Sequence, residues 1–340
     1  MKKIIFLLNI VKIVDKNWIT ENFRNNEMND NKNKVMLKGL EVIEYEHKSE
    51  KELQATLNSN AMVEKAFALI SEYGAERMVL LQHIGSDIEV KTTNLPELYK
   101  ILDNICEILD IKIKPKMYLK QDPTINAAAL GINKPIIEVN TGTLDKLSNE
   151  ELFFVIGHEA GHIKSKHVRY GFLQLILPSL SNLIPAIGSL ISASVKVLLY
   201  RYKRIAEFTA DRAGLLCCQN IDTATTSLMK IAGYPIQYYN KINKEDFIKQ
   251  FNDFVDYNEN TYNKALSMLA SMNMDHPWSV LRGKELFQWY DNEYLNVLKR
   301  DRMKENIKNK EIIYCDNCRK ERKSGNFCPY CGKKYEDISI

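Results

Sequence analysis

The stretch from Ser148 to His167 constrains this chain more than any other, because it joins a helix start signal to a metal-ligand spacing. Ser148-Asn149-Glu150-Glu151 precedes an apolar run, and a Ser followed three residues later by Glu is a capping box that opens a helix. That helix is expected to run to about His167. Within it stands His158-Glu159-Ala160-Gly161-His162, an HExxH motif. Residues four apart on a helix point about 40° from each other, so two imidazoles can grip one metal ion. Glu159 sits roughly 100° around the helix, where it can reach a water at the metal without ligating the metal itself. Leu152, Phe153, Val155, Ile156 and Ile163 make the remaining faces apolar and anchor the ligands to a rigid element.

A catalytic zinc ion ordinarily has three protein ligands and one open position. Downstream, Arg204-Ile205-Ala206-Glu207-Phe208-Thr209-Ala210-Asp211 puts Glu207 and Asp211 on one face of a second helix, read from Val197 to about Cys218. Glu207 is assigned as the third ligand. Asp211, one turn on, can accept a hydrogen bond from a ligating histidine and fix its tautomer. A plainer reading pairs both carboxylates with Arg204 and Arg212 on a solvated face, and the HExxH motif decides against it. Glu159 is then the general base for metal-assisted hydrolysis of a peptide bond. His47, His83 and His167 read as ordinary surface or core histidines. His167 lies five residues after His162 and points away from the metal, and Lys164, Lys166 and Arg169 around it suggest exposure.

Four of the seven cysteines form a second metal signal: Cys315-x2-Cys318, nine residues, then Cys328-x2-Cys331. This is the spacing of a closed four-cysteine zinc site, a ribbon that stabilises a fold and does no catalysis. Two zinc ions are therefore expected, one catalytic and one structural. CxxC pairs without a convincing export signal indicate a reducing compartment, hence a cytoplasmic protein. Lys2, Lys3 and Ile4–Ile10 resemble a short signal peptide, but no small-residue cleavage site follows.

Composition divides the chain into residues 1–35, a disordered leader or a mis-assigned start with Met28 as the true one; 36–302, the metal-binding domain; 303–312, a polar linker; and 313–340, the ribbon. Segments Glu50–Leu57, Ala61–Tyr73 and Leu95–Leu109 carry apolar residues at three-and-four spacing and read as helices. Lys116–Leu119 and Ile136–Val139 read as strands. The remainder to about Arg302 reads as helical, with Phe247, Phe251, Phe254 and Tyr257 on one face. The fold class is α+β, mostly helical, with a small sheet beside the HExxH helix. A net charge of +4, most of it in the last forty residues, disfavours nucleic acid as the main partner. What the ribbon binds stays open.

At these motifs the chain resembles the metallopeptidase family that includes HtpX and the CaaX prenyl endopeptidases, metallopeptidase family forty-eight, in its soluble bacterial type. The matching residues are HEAGH at 158–162, Glu207 and Asp211 in AEFTADRAG, Asn126-Ala127 ahead of Ile136–Leu144, and His276-Pro277 with Arg282. Leu37–Gln121 also looks similar to the amino-terminal part of soluble members. The resemblance implies a gluzincin-like domain that cleaves peptides or unfolded proteins on one zinc ion, in a setting such as protein quality control. It implies that Ile136–Thr141 or Asn126–Ala129 is the edge strand that pairs with substrate. It places His276 near the cleft, stabilising the oxyanion, although Met274-Asp275 before and Trp278-Ser279 after depart from the family pattern.

Gly171–Val195 carries no charge and is long enough to cross a bilayer once. A single crossing would put His162 and Glu207 on opposite sides, and they must meet on one metal. The stretch reads as a buried hairpin over the active-site helices, or alternatively as an apolar lid touching an unfolded substrate or, peripherally, the inner face of a membrane. The rival to an active enzyme is a catalytically silent zinc-binding adaptor or holdase of the same fold, and intact Glu159 argues against it.

Overall fold

The structure, a computed structural model, describes residues 34–72, 74–183, 193–257 and 278–300. Most of the leader, residues 184–192 of the uncharged stretch, His276, the linker and all four ribbon cysteines lie outside the described residues. The chain divides into two units, Met1–Val297 and Leu298–Ile340, and the elements below belong to the first.

Three helices come first: α1 (Glu50–Asn58), α2 (Ala61–Glu72) and α3 (Ala75–Ser86), then β1 (Ile88–Glu89) and α4 (Pro96–Ile108). Apolar spacing marks α1, α2 and α4 to within a residue at each end. It does not mark α3, because its apolar residues Met78, Leu81 and Ile84 are exposed while His83 is buried. Three strands follow: β2 (Lys116–Lys120), β3 (Ala127–Leu130) and β4 (Ile136–Asn140). The sheet order is β1-β2-β4-β3, with β2 and β4 parallel and the other pairs antiparallel. All five residues of β4 are buried, as an interior strand covered on both faces requires. Ile136–Thr141 is therefore not the edge strand. That place falls to β3, whose Ala-Ala-Ala-Leu has little intrinsic strand preference and owes its form to pairing with β4. The turn between them opens at Gly131, where φ is +99°. Glu76 of α3 closes it by accepting the backbone N–H groups of Ile132, Asn133 and Lys134.

After a short α5 (Thr141–Lys146) comes α6 (Asn149–Lys164), which carries the HExxH motif. Its capping box forms as expected: Ser148 Oγ accepts the Glu151 N–H, and the Glu151 carboxylate accepts the Ser148 N–H. The helix then runs through the core with Leu152–Gly161 all buried. It ends at Lys164, three residues sooner than expected. Lys166 takes φ +60°, the His167 N–H reaches the His162 carbonyl and the Lys166 N–H reaches that of Ile163. These two bonds make a Schellman stop.

The chain continues as α7 (Val168–Leu183), α8 (Ala193–Cys218), α9 (Ile221–Ile231), α10 (Lys244–Tyr257) and α11 (Ser279–Trp289), followed by a π-helical turn at Tyr290–Tyr294. Phe247 of α10 is buried, while Phe254 is half-buried against Trp278. One core cluster joins Leu53 and Leu57 of α1, Phe67 and Ile70 of α2, Phe172 and Leu173 of α7, and Leu199 and Tyr202 of α8. Among the described residues no helix is long and apolar enough to cross a membrane.

The pairing of α6 with α8 sets up everything that follows. A Cβ on Gly157 would lie 2.6 Å from Cys217 Cβ, and one on Gly161 would lie 2.5 Å from Ala213 Cβ. On the other side, a Cβ on Gly214 would lie 2.7 Å from the Phe154 carbonyl oxygen. Only glycine permits so close a backbone approach at these three points.

Candidate metal centre

Side chains from α6 and α8 converge across that contact. His158 Nε2 and His162 Nε2 are 3.1 Å apart. The Glu207 carboxylate lies 3.4 Å from the first and 3.3 Å from the second. These three residues form a group whose ligand atoms lie within reach of one ion. Glu159, from the same helix turn, has an oxygen 4.0 Å from His158 Nε2. The four residues assigned from sequence thus meet at one point.

The arrangement suits a cation. Both Nδ1 atoms are engaged outward, which leaves two Nε2 lone pairs and a carboxylate facing one another in a buried place. Such a donor set is repulsive until a positive charge fills it. Burial opposes protonation of His158, but Asp211 and Glu207 outweigh it and push its pKa up to about 9. Burial, together with neighbouring His158 and His167, holds His162 down at about 3 against the pull of Glu207.

Each imidazole is held from behind. His158 Nδ1 lies 2.9 Å from Asp211 Oδ1, the partner expected from the helix spacing. Arg282, from α11, clamps Asp211 with Nε on Oδ2 at 2.9 Å and Nη2 on Oδ1 at 2.6 Å. Burial works against ionisation of Asp211, but the guanidinium outweighs it and holds the carboxyl below its usual range. The sequence reading placed Arg282 among the matching residues without a role; its buried fork on Asp211 supplies one.

His162 is held by a residue the sequence reading sent elsewhere. His167 is not exposed: it is 4% accessible, and its Nδ1 lies 2.9 Å from His162 Nδ1. The left-handed turn at Lys166 is the reason, since it folds the chain back where a continued helix would carry His167 away. Its Nε2 lies 2.6 Å from Glu50 Oε1, and Thr209 of α8 donates to the other oxygen of Glu50. Burial opposes charge on Glu50, but His167 and Thr209 outweigh it and keep the carboxyl low. Nothing in the spacing around Glu50 signals this role. The other two histidines differ: His47 is half-buried with Glu285 at 3.6 Å, and His83 is a buried histidine bonded to Asp87 at 2.6 Å.

A cleft of about 500 Å³ opens onto the cluster. It is lined by Glu159, His162 and Glu207, by edge strand β3, and by Val168, Tyr170 and Leu175 of α7. The start of the uncharged stretch thus forms a wall of the cleft; Phe172 and Leu173 are buried and Leu175 is exposed.

A family model described as Peptidase family M48 matches residues 93–290. Over 283 residues the chain is 29% identical to Plastoglobule-localized metallopeptidase 48, chloroplastic, of Arabidopsis thaliana, covering 80% of each protein. It is 35% identical over 103 residues to Protease HtpX homolog of Pediococcus pentosaceus, covering 29% of this chain and 34% of that protein. Against Protease HtpX homolog 2 of Methanosarcina acetivorans the identity is 28% over 197 residues, covering 49% of this chain and 65% of the relative. The match thus spans four fifths of the plant protein but only about a third of the Pediococcus one. No solved structure matches the chain.

Proposed function

This chain belongs to peptidase family M48, and from that premise we propose that it is a zinc-dependent endopeptidase whose metal is held by His158, His162 and Glu207, with Glu159 as general base. Membership makes it a metalloprotease; the ion, the ligand set and the mechanism are our reading. The observation that carries it is the meeting of two Nε2 atoms and one carboxylate within 3.1–3.4 Å, beside a cleft that His162, Glu207 and Glu159 line.

Bound there, zinc supplies Lewis acidity toward the scissile carbonyl and the attacking water. Glu159 takes a proton from that water and passes it to the leaving amine nitrogen. Asp211 and His167 keep the two imidazoles in the tautomer that presents Nε2 inward. Among the described strands β3 pairs with β4 alone, so its other edge can take up an extended peptide, which favours unfolded or unstructured segments as substrates and suits a protein quality-control role. On sequence grounds alone, we keep in the proposal His276 as an oxyanion donor and a structural zinc on Cys315, Cys318, Cys328 and Cys331. On the same grounds we propose a cytoplasmic location, with the uncharged stretch as a buried hairpin over the active-site helices or, as the alternative, an apolar lid touching substrate or the inner face of a membrane.

Glu159→Gln tests the reading: cleavage of an unstructured peptide should fall by at least about a hundredfold while the zinc content stays. Loss of zinc together with activity would refute the base assignment. A wild-type protein that holds zinc at this site and cleaves no peptide would favour the silent adaptor.

A further inference from the structure

We infer that Glu50 and His167 form a relay that positions His162 for the metal, so that the segment ahead of the family match is part of the metal centre. The inference rests on the reading of His158, His162 and Glu207 as metal ligands. The family model begins at residue 93, and Glu50 lies well upstream of it.

The polarity of the relay follows from chemistry at its far end. Glu50 is a carboxylate and can only accept, so His167 Nε2 must carry the proton in their 2.6 Å bond. A neutral His167 then has a bare Nδ1, which accepts from His162 Nδ1–H at 2.9 Å. His162 is left with its Nε2 lone pair pointing at His158 and Glu207, the form a metal needs. Moving the His167 proton to Nδ1 would set a bare Nε2 against the Glu50 carboxylate, acceptor against acceptor, and an N–H against the His162 Nδ1–H.

The far end is itself fixed. The second oxygen of Glu50 accepts from Thr209, which lies between Glu207 and Asp211 on α8. Thr209 Oγ1 accepts in turn from the His47 N–H at 2.9 Å. Arg212 donates to the carbonyl oxygens of Tyr45 and Glu46, and Tyr45 Oη bonds Ser165 Oγ just past the end of α6. The His167 ring is wedged edge-on against Tyr202, with centroids 5.9 Å apart. Residues 45–50 therefore lock onto both ligand-bearing helices.

The two ligating histidines are thus held in different ways. His158 leans on Asp211, whose charge Arg282 neutralises. His162 leans on a neutral imidazole, and the negative charge of Glu50 reaches it only through that ring. Removing the charge should weaken the basicity of His162 Nε2 without taking away any packed atom. This separates a positioning role from an ordinary buried ion pair.

The test uses the full chain and zinc. Zinc affinity is measured by competition with a chromophoric chelator, counting only the zinc that His158→Ala removes. Glu50→Gln is isosteric and should weaken that zinc by roughly tenfold; His167→Phe keeps a ring and should weaken it by ten- to a hundredfold. The double variant should be no weaker than His167→Phe alone, because Glu50 acts through His167. In the zinc form, the hydrogen-bonded Nδ1–H resonance of His162 should also move upfield in Glu50→Gln, a readout that stands even if His167→Phe fails to fold. Unchanged affinity with an unmoved resonance in Glu50→Gln, or additive losses in the double variant, would overturn the relay. If the parent protein holds no zinc that His158→Ala removes, the metal reading fails first and takes this inference with it.

Discussion

Gly161→Ala inserts one methyl group where α6 and α8 come closest, and its consequences can be worked out from the contact itself. The new Cβ would lie 2.5 Å from Ala213 Cβ. Carbon atoms rest at about 3.5–4.0 Å, so the helices must part by roughly 1 Å. Overpacking of this kind costs about 1–3 kcal/mol, while Gly→Ala within a helix gains about 1 kcal/mol. The metal-free protein should therefore lose up to about 2 kcal/mol of stability. The site suffers more, because His158 and His162 sit on one helix and Glu207 on the other, and ligand distances tolerate only about 0.2 Å. Zinc affinity should fall at least about tenfold, the lower end of what disturbing a ligand's support costs.

Ala213→Gly on the same chain takes away the opposing methyl, and the two helix-propensity changes cancel at about 1 kcal/mol each. The double variant should return to within about 1 kcal/mol of the parent and regain its zinc. Ala213→Gly alone should cost about 1–2 kcal/mol and leave zinc binding in place, giving a coupling of about 2 kcal/mol between the two positions. Denaturant unfolding of chelator-treated protein reads the stability, and chelator competition reads the zinc. Wild-type zinc affinity in Gly161→Ala, or no rescue in the double variant, would show that the close approach does not set the site.

Three further outcomes follow from single contacts. Asp211→Asn should lower catalytic zinc affinity and turnover by ten- to a hundredfold, and a parent-like affinity would make Asp211 merely structural. Glu76 gives a pH signature: burial opposes its charge, but the donors of Lys134, Ile132 and Asn133 outweigh it and lower its pKa in the fold. A depressed carboxylate stabilises above its unfolded pKa of about 4.3 and loses that contribution as pH falls through the lower folded value. Glu76→Gln should therefore cost about 1 kcal/mol at pH 7 and progressively less as pH falls through the lower folded value, read by unfolding midpoints; a pH-independent difference would refute the charge role. Lys166→Gly relieves the left-handed φ of +60° and should stabilise the protein by about 1 kcal/mol, with a neutral or destabilising result counting against strain at that turn.

How much of this was legible beforehand depends on whether the signal was local. The capping box, the HExxH spacing and the Glu207–Asp211 pair are each contained in one helix turn or two, so helical geometry alone predicts which side chains share a face. The same holds for α1, α2, α4 and the interior strand β4, whose apolar runs report their own burial. What the spacing could not carry is whatever depends on two distant segments meeting. His167 looked exposed because its neighbours are basic. Its burial depends on a Schellman stop with lysine where glycine would have marked the turn, and on Glu50, 117 residues away. Strand β3 is reached only through the family resemblance, which offers Asn126–Ala129 as one of two edge strands: three alanines and a leucine become a strand only because β4 is there to pair with. Arg282 was noted but had no partner until α11 packed against α8 and brought its fork onto Asp211. The asymmetry has a physical basis. The proposed metal ligands sit on two helices whose rigid spacing holds them to a few tenths of an ångström, whereas the groups behind them need only supply hydrogen bonds. Any packed segment can supply that, so the groups behind the two imidazoles come from α11, from the turn after α6 and from the first residue of α1, where no local pattern announces them.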